Sequence, residues 1–227
     1  MKIFKSATAA LLLVGALGAA GQAQAIPSFL IDDFEDPEQS AIDTTGGTDT
    51  TPAFNFSNTQ LSGSDRTLSA TRVGAGQTDI FADRANSDLL EINNTFAANG
   101  TAYVLYNFTL EDFLSLGNAV VLDVLSIDTS DSVKMTVTDA AAGSSTTAFH
   151  SFSGPGQFFE LFSAFTGTAD FTQITSLRLD FKGVAGWDGA FDNLGLDTPP
   201  NVPEPATLAL MGLGLAGFAA SRKKKQA

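Results

Sequence analysis

Hydrophobic and polar residues alternate with a period of two along most of the central part of the chain. Such alternation is typical of strands that have one buried and one solvent-facing side. The pattern predicts about ten strands, separated by turns rich in Gly, Ser, Asn and Asp. They cover residues 29–35, 66–73, 88–92, 102–108, 119–127, 133–138, 146–152, 158–162, 174–181 and 190–196.

About ten strands at this spacing, without a long helix, predict an all-β domain over residues 26–200. The expected architecture is an antiparallel β-sandwich, jelly-roll-like in character. Residues 110–116 predict a single helical turn. Residues 40–64 are rich in Thr, Gly, Ser and Asp and predict a long surface loop.

The N-terminal 25 residues have the three parts of a secretory signal peptide. Lys2 and Lys5 give a basic start, and residues 9–20 form an apolar stretch. Ala23-Gln24-Ala25 is an A-x-A cleavage site, which predicts a mature chain beginning at Ile26. We therefore predict an exported protein.

The C-terminal segment, residues 201–227, has the composition of a sorting and anchoring signal. Val202-Pro203-Glu204-Pro205 precedes the apolar residues 206–221, and a run of basic residues follows at 222–225. An apolar run of this length predicts a short transmembrane helix, 206–221, by which the protein contacts the membrane before processing. The basic run is expected to stay on the cytoplasmic side, with the rest of the chain outside.

This order of Val202-Pro203-Glu204-Pro205, Leu/Gly-rich helix and basic end resembles the bacterial PEP-CTERM sorting signal. The resemblance implies handling by the membrane transpeptidase exosortase, with cleavage near the Pro-Glu-Pro. It also implies a destination at the cell surface or in the extracellular or biofilm matrix. It carries no information on the activity of the preceding domain, and a plain tail anchor is the alternative.

The composition of the mature domain excludes several classes of site. Residues 26–200 hold 6 Lys and Arg against 24 Asp and Glu, a formal charge of −18, so nucleic acid is a poor partner. The chain has no Cys and a single His, His150, which excludes Cys nucleophiles and zinc sites built on Cys or several His. Calcium and uncharged polymers remain compatible partners.

Acidic residues mark both ends of the predicted sandwich. The first strand carries Asp32-Asp33-Phe34-Glu35 and the last carries Asp192-Asn193-Leu194. These motifs resemble the ends of carbohydrate-binding, galactose-binding-like jelly rolls, whose first and last strands lie together and often hold a structural Ca²⁺. The resemblance implies Asp33, Glu35 and Asp192 as calcium ligands, since Ca²⁺ prefers carboxylate and carbonyl oxygens. Solvated acidic strand ends are the alternative.

Trp187 is the only Trp of the chain and stands between Gly186 and Asp188. A flat aromatic ring in a loop is the usual partner of a sugar face, so Trp187 is a candidate sugar contact. The alternative is a ring that caps one end of the sandwich.

The sequence thus predicts an exported structural or adhesive protein with a polysaccharide-binding role. The alternative is a secreted glycan-cleaving enzyme on a lectin-like sandwich. Such an enzyme needs two carboxyl groups about 5–10 Å apart. Asp188 and Asp192, with Asp33 or Glu35, are candidates for that pair.

Overall fold

The computed structural model describes residues 26–35, 38–56, 58–128 and 131–199. The predicted signal peptide, the sorting motif at 202–205 and the predicted membrane helix 206–221 lie outside these ranges. Within them, no helix is long and apolar enough to span a membrane. The sandwich belongs to the first of two units into which the chain divides, with the boundary after Asp197.

The described residues form sixteen strands, one short α-helix and one 3₁₀ turn. The helix is α1 (Phe113–Leu116) and the 3₁₀ turn is Phe162–Ala164. The strands are β1 (Phe29–Asp32), β2 (Gln39–Asp43), β3 (Asp49–Thr50), β4 (Phe54–Asn55), β5 (Asp65–Thr71), β6 (Thr78–Ala82), β7 (Leu90–Asn94), β8 (Thr101–Glu111), β9 (Ala119–Ile127), β10 (Ser132–Asp139), β11 (Ser144–Thr146), β12 (His150–Ser151), β13 (Gly156–Leu161), β14 (Thr166–Gly167), β15 (Ile174–Lys182) and β16 (Gly189–Asp197).

The strands form two antiparallel sheets. The first sheet has the order β13-β9-β16-β7-β6-β2, with β1 also pairing with β16. The second has the order β14-β11-β10-β15-β8-β5-β3, with β12 on β10 and β4 on β5. The all-β antiparallel sandwich predicted from the alternating pattern is confirmed.

The hydrophobic core lies between the two sheets. The longer strands supply most of its side chains, such as Val120, Leu122 and Val124 of β9 and Leu177, Leu179 and Phe181 of β15. Aromatic rings fill much of the interior, and Phe152 and Phe181 both contact Phe191. Alternation leaves the intervening residues of each strand on the outer faces of the sheets.

One charged cluster lies inside this core. Arg66 Nη1 donates to Asp32 Oδ2 at 2.7 Å, and neither side chain is exposed. The Tyr106 hydroxyl donates to the same oxygen at 2.8 Å, and Arg66 Nε donates to Gln39 Oε1 at 3.0 Å. We call Asp32, Arg66, Tyr106 and Gln39 the buried ion-pair cluster. It joins β1 and β2 of the first sheet to β5 and β8 of the second.

The predicted surface loop at 40–64 was wrong in part. It contains β3 and β4 and most of β2. Strand β6 was also missing from the prediction. The helical turn expected within 110–116 is present as α1.

Candidate functional site

The outer face of the first sheet is the most acidic structured surface among the described strands. Its carboxylates are Asp79 of β6, Glu91 of β7, Asp123 of β9 and Asp192 of β16. Their neighbours along each strand, such as Leu90, Leu122 and Phe191, point into the core, so these carboxylates point outward. We call this surface the acidic face.

Strand pairing brings these groups into rows across the sheet. Asp123 is the register partner of Asp192 on one side and of Gln157 on the other. Glu91 lies opposite Ala190, and Asp79 lies opposite Asn93. Asp123 and Asp192 thus share one cross-strand row, whereas Glu91 and Asp79 lie in two other rows of the same face.

A depression of about 280 Å³ opens at one end of the acidic face. Its polar side chains come from β7, from the residues around the end of β9 and from the start of β16. Its floor is formed by small residues of β16. The lining residues are Glu91, Asn93, Ser126, Asp128, Asp188, Gly189 and Ala190.

Backbone contacts fix the position of Asp188 beside this depression. Its Oδ1 accepts the Asn94 N–H at 2.6 Å, and its own N–H donates to Asp128 Oδ1 at 2.9 Å. Burial raises the pKa of Asp188, and the nearby Asp128 carboxylate raises this pKa further. Asp128 and Asp188 therefore both line the depression, and burial raises the pKa of Asp188.

The Asp123–Asp192 pair also carries perturbed carboxyl groups. Burial raises the pKa of Asp123, and the charge of Asp192 adds to this effect. Burial likewise raises the pKa of Asp192, with a contribution from Asp88. In both cases proximity of like charge and loss of water favour the neutral carboxyl.

One buried side-chain donor at the depression has no hydrogen-bond partner among the described residues. The Nδ2 atom of Asn93 is shielded from solvent and has no hydrogen-bond partner among the described residues. Buried polar atoms of folded proteins are rarely left unpaired. Asn93 therefore lines the depression with one buried amide donor left unpaired among the described residues.

The structure corrects the assignment of Trp187 as a sugar contact. The ring is completely buried, and its Nε1 donates to the Gly100 carbonyl oxygen at 2.9 Å. A Cβ on Gly183 would lie 2.5 Å from Trp187 Cγ, so the chain passes closely over the ring. Trp187 is a core residue, in agreement with the alternative of a ring packed into the sandwich.

The predicted calcium ligands lie near the ends of the first and last strands. Asp33 follows β1, Glu35 follows it in the next turn, and Asp192 lies within β16. The Asp33 carboxylate accepts the Glu35 N–H at 3.2 Å, and the Asp192 carboxylate accepts the Asn193 N–H at 2.7 Å. In the described ranges no three His, Cys, Asp or Glu side chains gather in a way that could hold a metal ion. Calcium binding at these residues stays a prediction, and backbone carbonyls would have to supply further ligands.

The sequence analysis missed Glu91, Asn93, Ser126 and Asp128, although it singled out Asp188 as an acid candidate. Each missed residue is an ordinary polar residue in its own strand or turn. Only the register of β7, β16 and β9 brings them together. The alternation within each strand was the available signal, since it places Glu91 and Asn93 on the same side.

The C-terminal residues supply the decisive comparison. Residues 201–224 match the PEP-CTERM protein-sorting motif. The chain carries a PEP-CTERM sorting signal. The resemblance inferred from Val202-Pro203-Glu204-Pro205 is therefore confirmed, and the protein is exported and directed to the cell surface. The match covers only this segment and leaves the activity of the sandwich open.

No curated protein matches the chain. Among solved structures, the chain is similar to a family 11 carbohydrate-binding module from Clostridium thermocellum in complex with a β-1,3-1,4-mixed-linked tetrasaccharide. The identity is 14%, the alignment covers 75% of this chain and 95% of that chain, and the TM-score is 0.40. A family 11 module of the cellulosomal cellulase Lic26A-Cel5E of the same organism gives 14% identity, 79% and 99% coverage and a TM-score of 0.39.

The agarase AgWH50C also resembles the chain, at 14% identity and a TM-score of 0.39, over 68% of this chain and 25% of that chain. Likenesses at this level establish neither activity nor ligand. The sandwich assignment rests on the strand pairing of this chain alone.

Proposed function

We propose that this protein is an exported surface component that binds uncharged extracellular polysaccharide on the acidic face, in a structural or adhesive role. The observation that carries the proposal is the depression between Glu91, Asp128 and Asp188, with its floor of Gly189 and Ala190. Carboxylates and an amide around a floor of small residues provide polar partners while leaving room for a sugar ring.

The charge of the face selects the class of polymer. Carboxylates accept hydrogen bonds from sugar hydroxyls, and hydrogen bonds to a charged acceptor are stronger than neutral ones. The same carboxylates repel a polymer that carries its own negative charges. A neutral polysaccharide is therefore the ligand class that this face favours.

The sorting signal supports the rest of the proposal. We infer that exosortase acts near Pro203-Glu204-Pro205, and that residues 206–221 hold the chain at the membrane until then. The sandwich is then retained at the cell surface or in the extracellular matrix. There, binding of polysaccharide by many copies would link the protein to the surrounding polymer.

A substitution that fills the depression with a large side chain tests whether polysaccharide binds there. We expect Ala190→Trp to abolish binding to neutral polysaccharides, measured by affinity electrophoresis of the full chain against a panel of neutral glucans and galactans. Ser40→Trp is the matched control, because Ser40 is exposed on the same sheet, away from the depression. Binding that is equal in both variants would reject the depression as the site.

A glycan-cleaving enzyme is the second candidate, favoured by the placement of Asp188 and Asp128 on one depression. Burial raises the pKa of the Asp188 carboxyl, which suits a general acid, and Asp128 provides the second carboxyl group that such chemistry requires. Release of reducing ends from the bound polysaccharide, lost in Asp188→Asn, would establish this function. Binding without release of reducing ends favours the binding role.

A further inference from the structure

Cations cluster on one part of the outer face of the second sheet, around β10 and β15, whereas Asp65 of β5 lies elsewhere on the same face. Three of the six Lys and Arg residues in the described ranges, Lys134, Arg178 and Lys182, lie on it. Arg178, Asp180 and Lys182 alternate with core residues along β15, and Lys134 of β10 is the register partner of Asp180. We call the local cluster of Lys134, Arg178, Asp180, Lys182, Tyr103 and Phe149 the cationic face.

Two aromatic rings accompany these cations. The Lys182 Nζ lies 3.7 Å from the centroid of the Phe149 ring, and the Lys134 Nζ lies 5.3 Å from the same centroid. The Arg178 guanidinium lies 3.9 Å from the centroid of Tyr103. Such contacts hold the charged groups of long, flexible side chains close to the sheet surface.

The cations exceed the carboxylates on this face. Asp180 accepts from Arg178 Nε at 2.9 Å and lies 3.5 Å from Lys134 Nζ. None of the ion pairs in the described part of the chain includes Lys182. Three cations and one anion leave two positive charges on a domain whose overall charge is strongly negative.

We propose that the cationic face is a second binding site, specific for acidic polysaccharide and contacting the carboxylates of its uronic acid residues. The ammonium of Lys182 is available to a carboxylate, and Arg178 presents a planar donor group beside the Tyr103 ring. The half-buried Tyr103 and Phe149 rings hold these cations at the sheet surface, where a carboxylate of the polymer can reach them.

This site differs from the neutral polysaccharide site in sheet, charge and ligand class, so either can fail alone. Together they would make the protein a cross-linker between a neutral and an acidic polymer.

The test measures binding of the full chain to polygalacturonate at low and high salt by isothermal titration calorimetry. Polygalacturonate whose carboxyls are methyl-esterified is the matched ligand, since it keeps the same sugar backbone without the charge. We expect binding of the acidic polymer only, weakened by salt. We expect Arg178→Gln/Lys182→Gln to weaken it about tenfold or more, because several exposed charge contacts repeat along one polymer.

Arg84→Gln is the matched control variant, since it removes one cation located over Phe81 on the first sheet. An equal loss of polygalacturonate affinity in Arg84→Gln would show nonspecific attraction and overturn the proposal. Equal binding of the esterified polymer would also overturn it, and so would an absence of binding by the wild type. Self-association that is seen in light scattering and lost in Lys182→Gln would assign the face to a second copy instead. Ala190→Trp is expected to bind polygalacturonate normally, which separates this result from that of the neutral site.

Discussion

Asp32 in the buried ion-pair cluster and Asp123 on the acidic face are both almost inaccessible to solvent, yet their surroundings differ completely. Both oxygens of Asp32 accept hydrogen bonds, Oδ2 from Arg66 and Tyr106 and Oδ1 from the Phe34 N–H at 2.9 Å. Asp123 has hydrogen bonds with Gln157 and Asn193, but its Oδ1 has no partner among the described residues, and its register partner on β16 is another carboxylate, Asp192.

We interpret the charge of Asp32 as stabilising the fold, and the charge of the acidic face as available to a ligand. In the core, a cation and a hydroxyl compensate the carboxylate, so loss of either partner leaves an uncompensated polar group. At the Asp123–Asp192 pair of the acidic face, two carboxylates lie side by side on paired strands, and their burial and like charge cost stability. Proteins often retain such costs where activity requires them. The comparison therefore supports the acidic face as the functional surface.

Replacement of Arg66 tests the buried side of the comparison and should have the largest effect. We expect Arg66→Met to lower the free energy of unfolding by about 3–5 kcal/mol, because it leaves Asp32 buried without its cation. Urea unfolding measures this loss. Asp32→Leu/Arg66→Met should recover much of it, because removal of both charges also removes the unpaired one. A loss below about 1 kcal/mol in Arg66→Met would contradict the role assigned to the cluster.

Thermal unfolding with and without Ca²⁺ tests whether the carboxylates at the strand ends bind an ion. If Asp33, Glu35 and Asp192 bind Ca²⁺ as predicted, a hundredfold excess over Kd stabilises the native state by about 2.7 kcal/mol. We then expect the melting temperature to rise by several degrees in millimolar Ca²⁺ relative to EDTA. The rise should disappear in Asp192→Ala and be absent with Mg²⁺ at equal ionic strength. Equal melting in Ca²⁺ and EDTA would remove the calcium site.

The pH dependence of stability should reveal the carboxyl groups on and beside the acidic face whose pKa values are raised. The pKa values of Asp123, Asp188 and Asp192 are raised above the ordinary 3.8, chiefly by burial. The stability they contribute is complete below 3.8 and is lost as pH rises through the raised values. We expect the free energy of unfolding to fall as pH rises above 3.8, and Asp192→Asn to make this fall smaller.

Two carboxylates with lowered pKa values provide the control of opposite sign. Burial raises the pKa of Asp43, but the N–H groups of Arg72, Thr45 and Gly46 outweigh it and lower the pKa to about 2. Hydrogen bonds from the Asp170, Gly143 and Ala141 N–H groups lower the pKa of Asp139. Their stabilisation is present above 3.8 and is lost at lower pH, so Asp139→Asn should destabilise the protein at neutral pH. If Asp192→Asn behaves the same way, the acidic face is not under electrostatic strain.

Strands whose inward positions are apolar were predictable from the sequence, and β9 was placed at its observed bounds. Strand β2 was missed because its pattern is inverted. Gln39 and Asp43 point inward and are buried, whereas Ile42 is 40% exposed. Gln39 faces inward because it bonds Arg66, and Asp43 because it accepts three backbone N–H groups. Strand β6 was missed because all five of its residues are buried, so alternation disappears.

The candidate site was less predictable than the fold. Glu91, Asn93 and Asp128 come from separate parts of the chain and meet only through strand register, which a single sequence does not reveal. Trp187 was ambiguous because a Trp between turn residues fits both a loop and a core. The sorting motif was fully readable because its three parts are consecutive in sequence.

The pairing of the first strand with the last also determines when the fold can be completed. Phe29 of β1 is the register partner of Leu196 of β16, and the Ser28 hydroxyl donates to the Leu196 carbonyl oxygen at 3.2 Å. Contacts between such distant parts of a chain form slowly, because a long loop must close first. Strand β1 is synthesised before the other described strands. It cannot complete its pairing until β16, the last of them, has also been synthesised. The sandwich therefore closes only as the sorting signal itself emerges, so that a chain interrupted before β16 lacks both its closing strand and its destination.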